Sequence, residues 1–163
     1  MTNIDKIKDL AFQKQHYVEM FFCPKEWSRA KNITGLNWKK VDFPPSPKKN
    51  IPKKPGVYAF VVEPNLFDFS PGNGFFYVGK AQCLYDRVGA YVTDLSSEYD
   101  NKNTRAHIWM MLNLWNGHLK YYYVTTATEA DAIDLEDQMI IAFRPHYNRK
   151  LDAIASREEK AFS

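Results

Sequence analysis

The chain has 163 residues, 45% apolar and 25% charged, enough for one domain with a real core and too short for two large ones. Net charge is +3, and the two cysteines, Cys23 and Cys83, are too few for a disulfide framework or a Cys-rich zinc site. No apolar run approaches the ~20 residues of a membrane helix, and MTNIDKIKDL lacks the apolar segment of a secretion signal, so a cytoplasmic protein without membrane contact is expected.

Residues 3–20 repeat apolar side chains at roughly helical spacing (Ile4, Ile7, Leu10, Ala11, Val18). Residues 21–43 are mixed. PPSPKKNIPKKP, residues 44–55, holds five prolines and four lysines, the composition of an extended, solvated connector. The predicted organisation is an N-terminal helical extension with its connector over 1–50, a main domain over 51–150 and a tail over 151–163. Within the main domain Val57–Val62 reads as a strand, and PNLFDFSPGNG as a long hairpin connection. Phe75–Val78 is a second strand. Helices follow at about 83–93 and 105–115, then an Asn116-Gly117 turn and a third strand over 119–126. Thr126-x-x-Glu129 has the form of a capping box opening a long helix, which stops before Pro145. The order ββααβα predicts an α/β (α+β) domain with a small antiparallel sheet flanked by helices.

The long helix, EADAIDLEDQMIIAFRP, carries an apolar stripe of Ala132, Ile133, Met139, Ile140 and Phe143. Glu136 sits in the middle of it. A carboxylate there needs a cation beside it, either an arginine or a metal ion. Asp131, Asp134 and Asp137 fall mostly off the stripe and read as surface charge. Cations cluster at Lys39, Lys40, Lys48, Lys49, Lys53 and Lys54, and again at Arg144, Arg149 and Lys150. Such clusters suit a polyanion or form a solvated face. Tyr121, Tyr122 and Tyr123 alternate across their strand, so at least one of them is expected at the surface.

Gly56-Val57-Tyr58 and Tyr77-Val78-Gly79 resemble the two tripeptides that name the GIY-YIG endonucleases. The resemblance continues through Lys80-Ala81, Leu84, Arg87 and Tyr91, then Thr128-Glu129-Ala130-Asp131-Ala132, Leu135-Glu136, Met139-Ile140 and Phe143-Arg144-Pro145-His146-Tyr147-Asn148. It spans about residues 55–150. Eighteen residues separate Tyr58 from Tyr77, longer than usual in that family, and the segment between the Arg87 helix and the third strand is also long. Neither insertion touches a motif position.

The resemblance implies a three-stranded antiparallel sheet with helices packed on it. It also implies cleavage of DNA phosphodiester bonds with one divalent cation, Mg²⁺ with Mn²⁺ as a substitute, held mainly by Glu136. By the same resemblance the catalytic set is Tyr58, Tyr77, Lys80, Arg87, Tyr91, Glu136 and Asn148. Arg87 would bind phosphate oxygens. One of Tyr58 and Tyr77 would take a proton from the attacking water and the other orient it, with a lysine nearby and metal-bound water lowering the phenol pKa. Asn148 would fix the site by hydrogen bonding. Lys49, Lys53, Lys54, Lys80, Arg144 and Arg149 are the candidate DNA contacts. The short chain points to a compact stand-alone member of the restriction or phage type, with the N-terminal extension as a DNA clamp, a homodimer interface or a dock for a partner protein. A catalytically silent DNA-binding module is the alternative.

Overall fold

The computed structural model describes residues 33, 35–62, 74–99, 105–145, 147 and 148. Its elements run in the order β1 (Lys39–Asp42), a 3-10 turn (Lys48–Asn50), β2 (Gly56–Val62), β3 (Gly74–Ala81), α1 (Leu84–Ser96), α2 (Ala106–Leu114), β4 (Leu119–Thr125) and α3 (Glu129–Phe143). The strands form one antiparallel sheet in the order β1-β4-β2-β3. The three expected strands are present, and β1 adds a fourth at one edge.

All seven residues of β2 are buried. A strand covered on both faces reads as a continuous apolar run rather than an alternation. Val57, Ala59 and Val61 meet Ala132, Met139, Ile140 and Ala142 of α3 on one face. Tyr58, Phe60 and Val62 join Leu84, Val88 and Tyr91 of α1 and Ile108, Met111 and Leu112 of α2 on the other. In β3 the register shifts: Phe60 pairs with Tyr77 but Val61 pairs with Phe75. The extra residue, Phe76, makes a bulge. Tyr77 is thereby carried to the α1/α2 face and Val78 to the α3 face.

Residues 44–55 are mostly exposed, as expected of a solvated connector, but Ile51 ties them to the domain. Phe43 and Ile51 are buried in the α1/α2 core, and Phe43 packs edge-on against Phe60. Burying one such side chain is worth about 1.5–3 kcal/mol, enough to fix the proline-rich stretch to the domain. The sheet therefore begins N-terminal to the connector.

α3 starts two residues later than the Thr126–Glu129 box. Thr128 is the N-cap: its hydroxyl accepts from the Asp131 N–H at 3.1 Å, and the Asp131 carboxylate accepts from the Thr128 N–H at 2.9 Å. Ile133 lies outside the buried stripe and is exposed. At the other end Arg144 adopts the left-handed conformation, φ 43° and ψ 61°. That conformation costs a non-glycine residue about 1–2 kcal/mol, and it reverses the chain ahead of Pro145. Tyr147 N–H then donates to Phe76 O at 2.9 Å, so the returning segment covers the free edge of β3. Tyr121 and Tyr123 are buried and Tyr122 is half-buried, against the expectation of an exposed tyrosine. With β1 beside it, β4 is an interior strand covered on both faces.

Candidate active site

Tyr58 projects from β2 with Gly79 of β3 and Tyr123 of β4 as its cross-strand partners. Its ring lies across Gly79, where any β-carbon would run into the Tyr58 hydroxyl and ring. The glycine of the second tripeptide thus makes room for the tyrosine of the first. Gly56 is equally constrained, because a β-carbon there would strike the Val124 carbonyl. Arg87 and Tyr91 stand one turn apart on α1, so both reach the same place. The Tyr58 and Tyr91 hydroxyls are 2.7 Å apart, and Arg87 Nε donates to the Tyr58 hydroxyl at 2.9 Å. The Arg87 guanidinium carbon is 5.1 Å from the centre of the Tyr91 ring. Tyr77 lies beside this group, its ring 6.2 Å from that of Tyr58. Four residues drawn from β2, β3 and α1 therefore form one polar cluster inside an aromatic shell.

Burial is the main influence on these phenols. It pushes Tyr58, which is fully buried, well above the usual tyrosine range, and Tyr91 and Tyr77 add to the rise while Arg87 opposes it. Tyr77 is also raised by burial first and by Tyr91 next, with Arg87 and Arg105 working against the rise. The cations that oppose the rise are the arginines, Arg87 for both phenols and Arg105 for Tyr77. Desolvation outweighs the cations, and both phenols are held neutral at physiological pH. Burial alone would weaken the charge on Arg87, but Tyr58 and Tyr91 more than reverse this and the group stays charged.

Lys80 and Arg87 line a cleft of about 500 Å³ at the end of β3, together with Gln82, Asp86 and Glu129. Gln82 Nε2 donates to Glu129 Oε2 at 2.6 Å. The Arg87 Nε is committed to Tyr58, which leaves the terminal NH₂ groups as the donors available for a ligand. Asn148 is buried at the edge of β3: its Oδ1 accepts from Val78 N–H at 2.9 Å and its Nδ2 donates to Val78 O at 2.8 Å. It replaces a neighbouring strand at the residue between Tyr77 and Gly79 and so holds the tripeptide in place.

Glu136 is 6% exposed on the sheet side of α3, among the apolar residues that meet Val57, Ala59 and Val78. It is not among the residues that line the cleft. Glu136 has a polar interaction of its own, while its Oε2 oxygen is buried without a hydrogen bond. Among the described residues no three His, Cys, Asp or Glu side chains gather at one point. The donor set fits a hard divalent cation that keeps several waters and is held by a single carboxylate. It does not fit a fully protein-ligated ion.

Of the expected DNA contacts, Lys49, Lys53 and Lys54 are exposed, and Lys53 Nζ lies 5.1 Å from the Tyr85 ring centre. Lys48, left out of that set, is 4.0 Å from the same ring. Arg144 is part-buried at the end of α3. Arg149, the 3–20 helix, the Phe67/Phe69 connection and the tail lie outside the described residues. Sequence reasoning gave Arg105 no role, yet its guanidinium carbon is 5.4 Å from the Tyr91 ring centre. The only sequence signal is a cation just before an apolar helix.

The sequence model of the UvrC-like GIY-YIG domain matches residues 54–149, more than half of the chain. The UvrABC system protein C of Lachnospira eligens is 33% identical over 104 residues, 63% of this chain and 14% of that protein. Its counterpart from Agrobacterium fabrum is 30% identical over 138 residues, 84% of this chain and 17% of that protein. The chain thus spans about a seventh of the length of the curated relatives it matches. The crystal structure of the GIY-YIG N-terminal endonuclease domain of UvrC from Thermotoga maritima, bound to its catalytic divalent cation magnesium, superposes with a TM-score of 0.42 at 23% identity. That match covers 63% of this chain and 92% of the other. These relatives are UvrC proteins.

Proposed function

This chain belongs to the UvrC-like GIY-YIG domain family, and from that premise we propose that it is a divalent-metal-dependent DNA endonuclease using a one-metal mechanism. The observation that carries the reading is the Arg87–Tyr58–Tyr91 hydrogen-bonded cluster beside Tyr77. A polar group of that kind inside an aromatic core is costly, and pure DNA binding does not require it.

Glu136 is the residue that would hold the cation. When bound, Mg²⁺ or Mn²⁺ would neutralise phosphate charge and lower the pKa of water. Arg87 binds non-bridging phosphate oxygens with its NH₂ groups and stabilises the charge that grows on them as the phosphorus becomes five-coordinate. Lys80, across the same cleft, adds positive potential. Tyr77 is the less buried of the two tripeptide tyrosines, so it orients the attacking water and accepts its hydrogen bond. Tyr58, locked between Arg87 and Tyr91, fixes the arginine fork. Asn148 holds the Tyr77 strand. Lys49, Lys53 and Lys54 track the DNA backbone through charge.

Among the described residues no helix is long and apolar enough to cross a membrane, and we place the activity in the cytoplasm with DNA as the partner. A larger nuclease assembly, or a second copy bound through the N-terminal extension, would supply target choice. The test is incubation of purified protein with supercoiled plasmid in Mg²⁺, in Mn²⁺ and in chelator. Metal-dependent conversion to nicked or linear DNA supports the reading. Binding without cutting, on plasmid and on branched DNA, would replace it with the silent binding module.

A further inference from the structure

Tyr91 is approached by two guanidinium groups, not one. Arg87 reaches its ring from the same helix, and Arg105 reaches it from the residue that caps α2. The two arginines are held very differently. Arg87 is about half-buried and tied through Nε to Tyr58. Arg105 has its side chain 40% exposed, and its Nη2 faces Asp94 Oδ2 at 3.7 Å, with Asp94 37% exposed. An ion pair at that distance and exposure adds little to stability. Arg105 is thus positioned by the face of an aromatic ring and restrained by a weak, replaceable anion.

A phosphoryl-transfer transition state carries more negative charge on its oxygens than the diester from which it forms. Two-metal nucleases answer this with a second ion. A single metal-binding carboxylate leaves the task to protein cations. Arg105 belongs to that set by position, because its guanidinium carbon stands 5.4 Å from the centre of the Tyr91 ring, whose hydroxyl is 2.7 Å from that of Tyr58. A guanidinium presents a planar pair of donors that matches two phosphate oxygens, which an ammonium cannot do.

We propose that Arg105 is a second phosphate-binding guanidinium of the active site: it leaves Asp94 and grips a DNA phosphate next to the one being cut, with the Tyr91 ring setting its direction. The inference rests on the nuclease reading above, deepening it by adding a residue outside the family motifs.

The test compares Arg105→Ala, Arg105→Lys and Asp94→Asn with the wild type. Binding of a fluorescein-labelled duplex is followed by anisotropy over a range of salt, and plasmid cleavage in Mg²⁺ by single-turnover kinetics. Arg105→Ala should flatten the slope of log K against log salt by about 0.9, and cut at least about ten-fold more slowly. Its melting temperature should be unchanged. Arg105→Lys should keep the salt slope and lose rate, while Asp94→Asn should bind more tightly. Wild-type slope and wild-type rate in Arg105→Ala would overturn the proposal. So would a slow Arg105→Ala matched by a fully active Arg105→Lys with unaltered salt slopes in both, since that is packing alone. If the wild type cuts no DNA, the nuclease reading fails, and the salt slope still decides whether Arg105 meets phosphate.

Discussion

Arg87 and Tyr58 are joined by a hydrogen bond in which the arginine Nε donates to the phenol oxygen at 2.9 Å. The bond crosses from α1 to the central strand of the sheet. It uses the one guanidinium donor that cannot take part in a bidentate NH₂ fork and so fixes the direction of the other four. Tyr58→Phe removes the acceptor and leaves a part-buried Nε–H unmatched. The variant should lose about 1–3 kcal/mol of stability, read by urea denaturation, and about 10²-fold in cleavage rate, because the arginine fork is no longer held in place. Full activity in a folded Tyr58→Phe would remove Tyr58 from the mechanism.

Gly79 lies under the Tyr58 ring, with no room for a β-carbon. Gly79→Ala forces the ring away and should cost about 1–3 kcal/mol from overpacking. It should also abolish cleavage, because the displaced phenol no longer meets Arg87. Gly89→Ala is the control: a β-carbon there meets only the flexible end of Lys48, and activity should persist. Equal activity in the two variants would contradict the close approach.

The raised phenols of Tyr58, Tyr77 and Tyr121 give stability a definite pH dependence. Burial is the first cause in each case. Below the ordinary tyrosine pKa of about 10 the folded and unfolded chains bind the same phenolic protons, and the three groups contribute no slope. Above it the unfolded chain loses these protons first, so stability falls as pH rises. Absorbance of tyrosinate should show these phenols titrating together with alkaline unfolding, not before it. Reversible ionisation of all ten tyrosines in the folded protein near pH 10 would contradict the burial argument.

Tyr121 stacks on Tyr58, ring centres 5.4 Å apart and 17° between planes, and its hydroxyl is buried with no hydrogen-bond partner. A buried unsatisfied hydroxyl costs about 1–3 kcal/mol. Tyr121→Phe should therefore stabilise the protein by about 1 kcal/mol, seen as a higher urea midpoint at unchanged m-value, with the ring stack kept. A destabilised Tyr121→Phe would show that the hydroxyl is satisfied in solution.

The core strands were legible because β2, β3 and β4 are apolar runs punctuated by Gly, Pro and Asn. β1 was not: Lys39, Lys40 and Asp42 are exposed, and the strand joins the sheet through its backbone. Composition made residues 44–55 look like a free linker, since it weighs five prolines and four lysines above the one isoleucine that anchors them. Thr128 as the true N-cap lay two residues from the predicted box, within the usual uncertainty of helix ends. Tyr58, Tyr77, Arg87 and Tyr91 were legible as an ordered motif, and Glu136 as a break in an apolar stripe. The direction of the phenol shifts was not, because it depends on rings from β4 and α1 closing over Tyr58. Arg105 was invisible for the same reason: only the fold brings the start of α2 to Tyr91.

The central claim is that Glu136, a carboxylate in the apolar face of α3, exists to hold the cation that cutting requires. The most direct measurement pairs Mn²⁺ binding, followed by electron paramagnetic resonance, with plasmid cleavage for the wild type and Glu136→Gln. The account predicts a folded Glu136→Gln at least as stable as the wild type, since no charge is buried. Its Mn²⁺ binding should be lost and its cleavage lower by at least about 100-fold. Wild-type cleavage by Glu136→Gln, with Mn²⁺ still bound, would contradict it.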